Sequence, residues 1–310
     1  MLQKQPILVT GAAGRVGAVG RTLSELLLAR GLAVRALVRR EDDRSASLRR
    51  LGAQVVVGDL LDLHDLHRAI DGCAGVYFAL SVSASYLEAT VNAAVVAKHH
   101  GVRAFVNMSQ MTVSQMSISE TTPSPQQKQH WLGEQVLNWS GLPLVHVRPT
   151  VFMEVFFLRF SSPTIRQSNE ILLPFGNGRT SPIAAQDVAR ALADILSDPA
   201  PHIGRVYNLT GPQSEDMHFY AKEYSEVLGR HITYIDVPLA PWRQRLIDDG
   251  LPNHVVEHLS TMALLHQQNR YDRMSDDVRQ LTGTPPINIR EFVRHHADAF
   301  GGISLSSDSG

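Results

Sequence analysis

The stretch Ile7–Gly17, ILVTGAAGRVG, decides the fold. Ile7, Leu8 and Val9 form an apolar run too short for a helix, which predicts a buried parallel strand. Thr10-Gly11 opens a turn, and glycines fall at Gly11, Gly14 and Gly17. Val19, Leu23, Leu26 and Leu27 then recur at helical spacing up to a break at Gly31. A strand, a glycine-rich turn and a helix are the parts of a dinucleotide phosphate site. Gly11 permits the tight turn, Gly14 lets backbone approach a pyrophosphate, and Gly17 lets the helix pack close to the strand. The loop residues expected around the phosphates are therefore Gly11, Ala12, Ala13, Gly14, Arg15, Val16 and Gly17. The spacing is G-x-x-G-x-x-G rather than the commoner G-x-G-x-x-G.

Strands and helices alternate from there. Ala33–Val38 predicts a second strand ending in Arg39-Arg40. This end of strand two faces the adenosine ribose. An acid there accepts from both ribose hydroxyls, whereas arginine matches the oxygens of a 2′-phosphate. Arg39 and Arg40, joined by Arg15, favour NADP(H) over NAD(H); the alternative is a solvated arginine pair before the acidic linker Glu41-Asp42-Asp43. Val55–Val57 is strand three, followed by Gly58-Asp59-Leu60, where Asp59 can accept from an adenine amino group and Asp62 caps the helix to Ile70. Strand four, Val76-Tyr77-Phe78-Ala79-Leu80, ends at Ser81, with small residues beyond it that leave space for a ribose and pyrophosphate. A helix over about Tyr86–His100 leads to strand five, Ala104–Met108, ending at Ser109.

This rhythm predicts an α/β fold with a doubly wound parallel sheet. Gly11, Arg39, Asp59, Leu80 and Ser109 all fall at carboxyl ends of strands, where such sheets bind ligands. A polar loop, Gln110–Pro125, precedes a helix over about Gln126–Trp139 and strand six, Leu144–Val147. The rhythm breaks at Thr150. Leu172–Gly176 reads as a loop with exposed hydrophobics, Ser181-Pro182-Ile183 as a return to the sheet, Asp187 as a helix cap, and Val206–Leu209 as strand seven. The remainder is mostly helical, with a short strand at Ile232–Ile235. The domains expected are 1–150, completed by about 181–211, and a smaller, mostly helical substrate-side domain over 151–180 and 212–303. Ser304–Gly310 reads as a disordered tail.

Composition narrows the classes. The chain has 310 residues, 44% of them hydrophobic, enough for a sizeable core. A net charge of −1 offers no overall field for nucleic acid or an anionic membrane. No apolar run approaches the ~20 residues of a membrane span. The single cysteine, Cys73, excludes a disulfide framework and a cysteine metal cluster, and fits a reducing cytoplasm. The N-terminal MLQKQP enters the first strand at once, leaving no room for a signal peptide. His99-His100 and His295-His296 are sequence neighbours that face different ways on a helix, so no metal site is expected.

TGAAGRVG at Thr10–Gly17, GDLLD at Gly58–Asp62 and SGLPLVHVRPTVFME at Ser140–Glu154 resemble the NmrA-like branch of the atypical short-chain dehydrogenases/reductases. The likeness runs from about Leu2 to Leu209 and weakens in the C-terminal helices. It implies an NAD(P)-binding Rossmann fold with a small C-terminal domain. Some members are NADPH-dependent reductases of quinones or dyes; others bind NADP without turnover and act as redox sensors through a protein partner.

One departure bears on mechanism. The superfamily's Tyr-x-x-x-Lys helix supplies the acid and the ribose-holding lysine. Matching Glu134 to the glutamate that follows this lysine in extended members puts the lysine position at His130 and the tyrosine position at Gln126. The dyad is absent. His130 is then a candidate to contact the nicotinamide ribose or donate a proton near neutral pH; the alternative is a packing histidine on an amphipathic helix. Phe152, Phe156, Phe157, Phe175 and Trp242 are candidates to line a flat substrate pocket; the alternative is an ordinary core. The expectation is an NADP(H)-binding oxidoreductase that reduces a quinone or similar conjugated acceptor, with a non-catalytic NADP(H) sensor as the second reading. An epimerase or isomerase would need the missing Tyr and Lys.

Overall fold

The computed structural model describes residues 5–14 and 19–302. In chain order the first elements are β1 (Ile7–Val9), α1 (Val19–Ala29), β2 (Val34–Val38), α2 (Asp43–Arg50), β3 (Gln54–Val57), α3 (Leu63–Ile70), β4 (Gly75–Phe78), α4 (Tyr86–His99), β5 (Ala104–Met108), α5 (Pro125–Ser140) and β6 (Leu144–Pro149). A π-helical stretch, Glu154–Ser161, leads to α6 (Ser162–Ser168), β7 (Glu170–Leu173), α7 (Ala185–Ser197), β8 (Val206–Leu209), α8 (Met217–Leu228) and β9 (Thr233–Asp236). Helices α9 (Leu239–Asp248), α10 (Asn253–Gln267), α11 (Asp277–Thr282) and α12 (Ile289–His295) follow. None of the described helices is long and apolar enough to cross a membrane.

The chain divides into two compact units: Met1–Pro149, Ala185–Leu209 and Asp277–Thr284 form one, and Thr150–Ala184, Thr210–Asp276 and Pro285–Gly310 form the other. Residues 277–284, assigned to the smaller domain from sequence, lie in the first unit. Here seven parallel strands run in the order β3-β2-β1-β4-β5-β6-β8, the doubly wound arrangement expected. The outward step β1→β2→β3 and the return to β4 beside β1 create the switch point, with Val9 in register with Ala36 on one side and Tyr77 on the other. α1 packs against α7, and α3, α4 and α5 pack in series. α1 buries Val19, Leu23 and Leu27 at successive turns, while α4 offers Ala89, Ala93 and Ala97, small enough for close approach to Phe78 and Phe105 in the same core.

α2 corrects the acidic-linker reading. Asp42 caps it, accepting from the Arg44 and Ser45 amides, and Ser45 returns the bond to the Asp42 amide. Asp187 likewise lies inside the first turn of α7, buried and paired with Arg190, rather than at its cap.

The second unit has an aromatic core around Phe156, Phe157, Phe175, Tyr220, Tyr224, Trp242, Phe292 and Phe300. Its two-stranded sheet pairs β7 with β9, Leu173 opposite Asp236. The segment read as a loop with exposed hydrophobics is therefore partly a strand, with Leu173 and Phe175 buried. Ser181–Ile183 does not rejoin the large sheet; Ile183 bridges Phe152 within the second unit.

Candidate functional site

The carboxyl ends of β1, β2, β3 and β4 surround a cavity of about 560 Å³. Gly11, Ala13, Gly14, Arg39, Arg40, Asp59, Leu60, Ala79, Leu80 and Ser81 all line it. Ala12 belongs to the same loop but is buried beneath it. Arg15, Val16 and Gly17 lie outside the described residues.

The glycine turn is built by backbone proximity. Gly11 has φ +66°, a left-handed conformation that disfavours a side chain. The Gly14 amide donates to the Gly11 carbonyl at 2.9 Å. A Cβ on Gly14 would stand 3.0 Å from that carbonyl oxygen, a contact tight enough that the turn would have to give by a few tenths of an ångström. Gly20, in α1, fits closer still: its Cβ would lie 2.8 Å from the Gly11 oxygen. Among the described residues, close packing of helix on loop is supplied by Gly20. Thr10 locks the turn to the end of β4, donating to the Ala79 carbonyl at 2.9 Å and accepting from the Ala79 amide at 2.7 Å.

Charge collects on one wall. Arg39 and Arg40 are largely exposed, Arg39 lying 3.6 Å from Asp59 and Arg40 4.0 Å from Asp42. Asp59 also accepts from the Leu61 amide, while Asp62 caps α3 as expected. Arg44 is a third guanidinium on the lining, absent from the sequence reading because α2 was absent from it. It is held by Asp42 and donates to the Ala13 carbonyl at 2.5 Å, bracing the glycine turn. The capping pattern Asp42-x-x-Ser45 was the available signal.

Ser109 and His130 are not on the cavity lining. Ser109 is buried, and its hydroxyl has no hydrogen-bond partner among the described residues. His130 lies ring to ring with Tyr86, centroids 3.9 Å apart. Gln126, Gln129 and His130 share one face of α5 and meet the segment that follows β4. Gln126 Oε1 accepts from the Ser83 amide at 3.0 Å. Gln129 accepts from the Leu87 amide at 3.2 Å and donates to the Ala84 carbonyl at 3.1 Å. Ser83 and Ser85 line the cavity, so this face of α5 fixes one of its walls. Gln126 is buried, and its Nε2 donor has no partner among the described residues. Two turns on from Gln126, Glu134 forms a buried two-point ion pair with Arg148 of β6.

The aromatic candidates mostly fall elsewhere. Phe156, Phe175 and Trp242 are core residues of the second unit, 2%, 1% and 5% exposed, which corrects their assignment to a substrate pocket. Phe175 stacks on His266 at 3.8 Å and meets Phe156 edge-on, so its faces are already occupied. Phe157 is buried with them, while Phe152 keeps part of its surface exposed. The expectation of no metal site also needs correction in its geometry. Among the described residues, His67, His99 and His100 each bring one ring nitrogen within 4.8 Å of the others. The rings of His99 and His100 do not point apart, their centroids lying 5.0 Å from one another, and the third imidazole comes from a different helix.

A family model described as NAD(P)H-binding matches residues 11–199. The NAD(P)H azoreductase of Xenophilus azovorans is 29% identical over 290 residues, covering 93% of this chain and 98% of that protein. The NADPH-dependent quinone oxidoreductase QOR2 of Escherichia coli, solved with NADPH, superposes with a TM-score of 0.82 at 23% identity over 94% of this chain and 99% of that one. NmrA, a negative transcriptional regulator, superposes with a TM-score of 0.76 at 19% identity, covering 98% of this chain and all of the other.

Proposed function

Because the chain belongs to the NAD(P)H-binding family and has the fold of the NmrA-like reductases, we propose that it is an NADPH-dependent reductase of quinones or similarly conjugated acceptors. The observation that carries this reading is the cavity at the switch point, with a turn of small residues, Gly11, Ala13 and Gly14, on one wall and three arginines on another. The site fits the cofactor: a pyrophosphate needs the bare backbone at Gly11–Gly14, and a 2′-phosphate needs a guanidinium at the end of β2. Arg39 and Arg40 take the 2′-phosphate, Arg44 holds the turn in shape, and Asp59 faces the adenine. A bound NADPH supplies a hydride.

The residues at the dyad positions favour a conjugated acceptor. Gln126 offers an amide N–H, which can stabilise charge by hydrogen bonding but has no proton to transfer. A positioned acid is worth typically ~10²–10⁴-fold where charge builds on a single oxygen. An acceptor that spreads charge over a conjugated ring needs it far less. The azoreductase and quinone oxidoreductase relatives act on such acceptors. His130, packed on Tyr86, serves to set the cavity wall and the ribose side of the site.

The second reading, a sensor that reports NADP(H) through a protein partner, draws on the same missing dyad and on the NmrA likeness. Stopped-flow absorbance of NADPH decides between them. Slow oxidation above the buffer rate with quinones, and none with simple ketones, is expected. Tight NADPH binding with no oxidation by any conjugated acceptor would overturn the enzyme reading, and pull-downs with and without NADP would then test the sensor.

A further inference from the structure

Three imidazoles converge at the far end of α4 from the cofactor cavity. Ser85 and Ala89, at the start of this helix, touch the cavity; His99 ends the helix and His100 follows it. Fourteen residues of helix separate the two ends by about 20 Å. His67 arrives from the second half of α3. His100 Nε2 lies 3.0 Å from His67 Nδ1, and the three rings have centroids 4.8, 5.0 and 5.9 Å apart. His67 and His99 are exposed and His100 is half-buried, so the cluster opens to solvent. Asp71, at the end of α3, places a carboxylate oxygen 3.6 Å from His100 Nδ1, the ring nitrogen away from His67.

We propose that His67, His99 and His100 form a binding site for a divalent transition-metal ion, zinc foremost, with Asp71 orienting His100. Ligand nitrogens around tetrahedral zinc stand roughly 3.3 Å apart when Zn–N is about 2.0–2.1 Å. Nitrogens already within 4.8 Å reach that spacing by side-chain rotation alone. Imidazole is the ligand such ions prefer among nitrogen donors, and water completes the fourth position. The carboxylate behind His100 is the outer-shell partner that ligating histidines commonly have. Helices α3 and α4 both end here, and the negative ends of their dipoles favour a cation. The ion ties α3 to α4 and takes no part in cofactor binding.

Tag-free full-length protein titrated with Zn²⁺ by calorimetry, and with Co²⁺ by visible absorption, tests this. One saturable site is expected, with imidazole-type Co²⁺ bands and a raised melting temperature at saturating Zn²⁺. Asp71→Asn is expected to weaken binding roughly 10- to 100-fold, and His67→Ala, His99→Ala and His100→Ala each by more. NADPH affinity stays unchanged in all four, which also shows that they are folded; His100→Gln replaces His100→Ala if the latter is not. Wild-type protein without a saturable site, or a His67/His99/His100 triple variant that binds zinc as the wild type does, overturns the proposal.

Discussion

Both units of this chain contain glycines where a side chain has no room, and they use the missing atom differently. At Gly178 in the second unit, a Cβ would stand 1.7 Å from the His266 carbonyl oxygen; at Gly211 it would stand 2.0 Å from that of Pro182. Backbone already fills the space. At Gly14 in the first unit, the nearest atom is the turn's own carbonyl at 3.0 Å, and the residue lines an open cavity. Gly178 and Gly211, like Gly20 in the first unit, serve packing, whereas Gly14 leaves backbone bare toward the cavity. The cores differ in parallel. The sheet unit packs mostly aliphatic and alanine side chains around Phe78, Tyr86 and Phe105, whereas the second unit packs many rings, some with polar atoms bonded internally, as where Tyr234 donates to the Leu173 carbonyl and Tyr220 to that of Thr180.

The largest effect is expected at Gly178. Gly178→Ala forces backbone to move and should cost more than ~3 kcal/mol, beyond ordinary overpacking. Thermal melts and soluble yield measure it, and a variant melting near the wild type would erase the distinction between the two kinds of glycine. Gly14→Val is expected to leave the fold intact while NADPH affinity falls more than a hundredfold, about 2.7 kcal/mol. Titration by fluorescence checks this; wild-type binding by the folded variant would show that the turn is not the phosphate site. Arg39→Ala should lose roughly 1.5–3 kcal/mol for NADP, tenfold or more, and little for NAD. Equal wild-type affinity for the two cofactors would remove the role given to this arginine.

The last effect is graded with pH and sharpens the difference between the cores. Burial pushes the His266 pKa down to about 3 and that of His258 to about 4, from an ordinary 6.5. Above pH 6.5 both are neutral, folded or unfolded. As pH falls below that value the unfolded chain takes up protons that the folded chain refuses, so stability drops, by about 1.4 kcal/mol per pH unit for each histidine, until the folded pKa is reached. His266→Phe, which can keep the stack on Phe175, should show a shallower loss than the wild type in urea unfolding between pH 6.5 and 4. Equal slopes would mean that His266 does not titrate in this way.

How much of this was legible in the chain follows from the range of the contacts. Strands β1, β2, β4 and β5 are buried almost throughout and read as apolar runs broken only by Arg35 and Asn107, so the sheet could be placed from local pattern. The cavity lining followed because strand ends alone define it. α2 was hidden because it buries only Ser45 and Leu48, too few positions for a periodicity. Arg44 was lost with it. β7 was hidden because its partner β9 lies some sixty residues on, and no local pattern reports a non-local pairing. Gln126 and His130 were found through a motif position, but their bonds to the segment after β4 depend on two helices meeting. The same holds for His67 beside His99 and His100.

The division of the chain also bears on how the protein is made. The sheet unit is interrupted twice, so β8 arrives only after the first segment of the second unit, Thr150–Ala184, and residues 277–284 only after most of that unit has been synthesised. At ~5–20 residues per second, the delay between Pro149 and Leu209, the end of the strand that pairs with β6, is on the order of five seconds. Throughout that interval β6 is an open sheet edge, with backbone donors and acceptors available to any strand that passes. A nascent chain stalled near residue 149 is therefore a client for chaperones, and a gene fragment ending there would yield a sticky sheet rather than a smaller cofactor-binding protein.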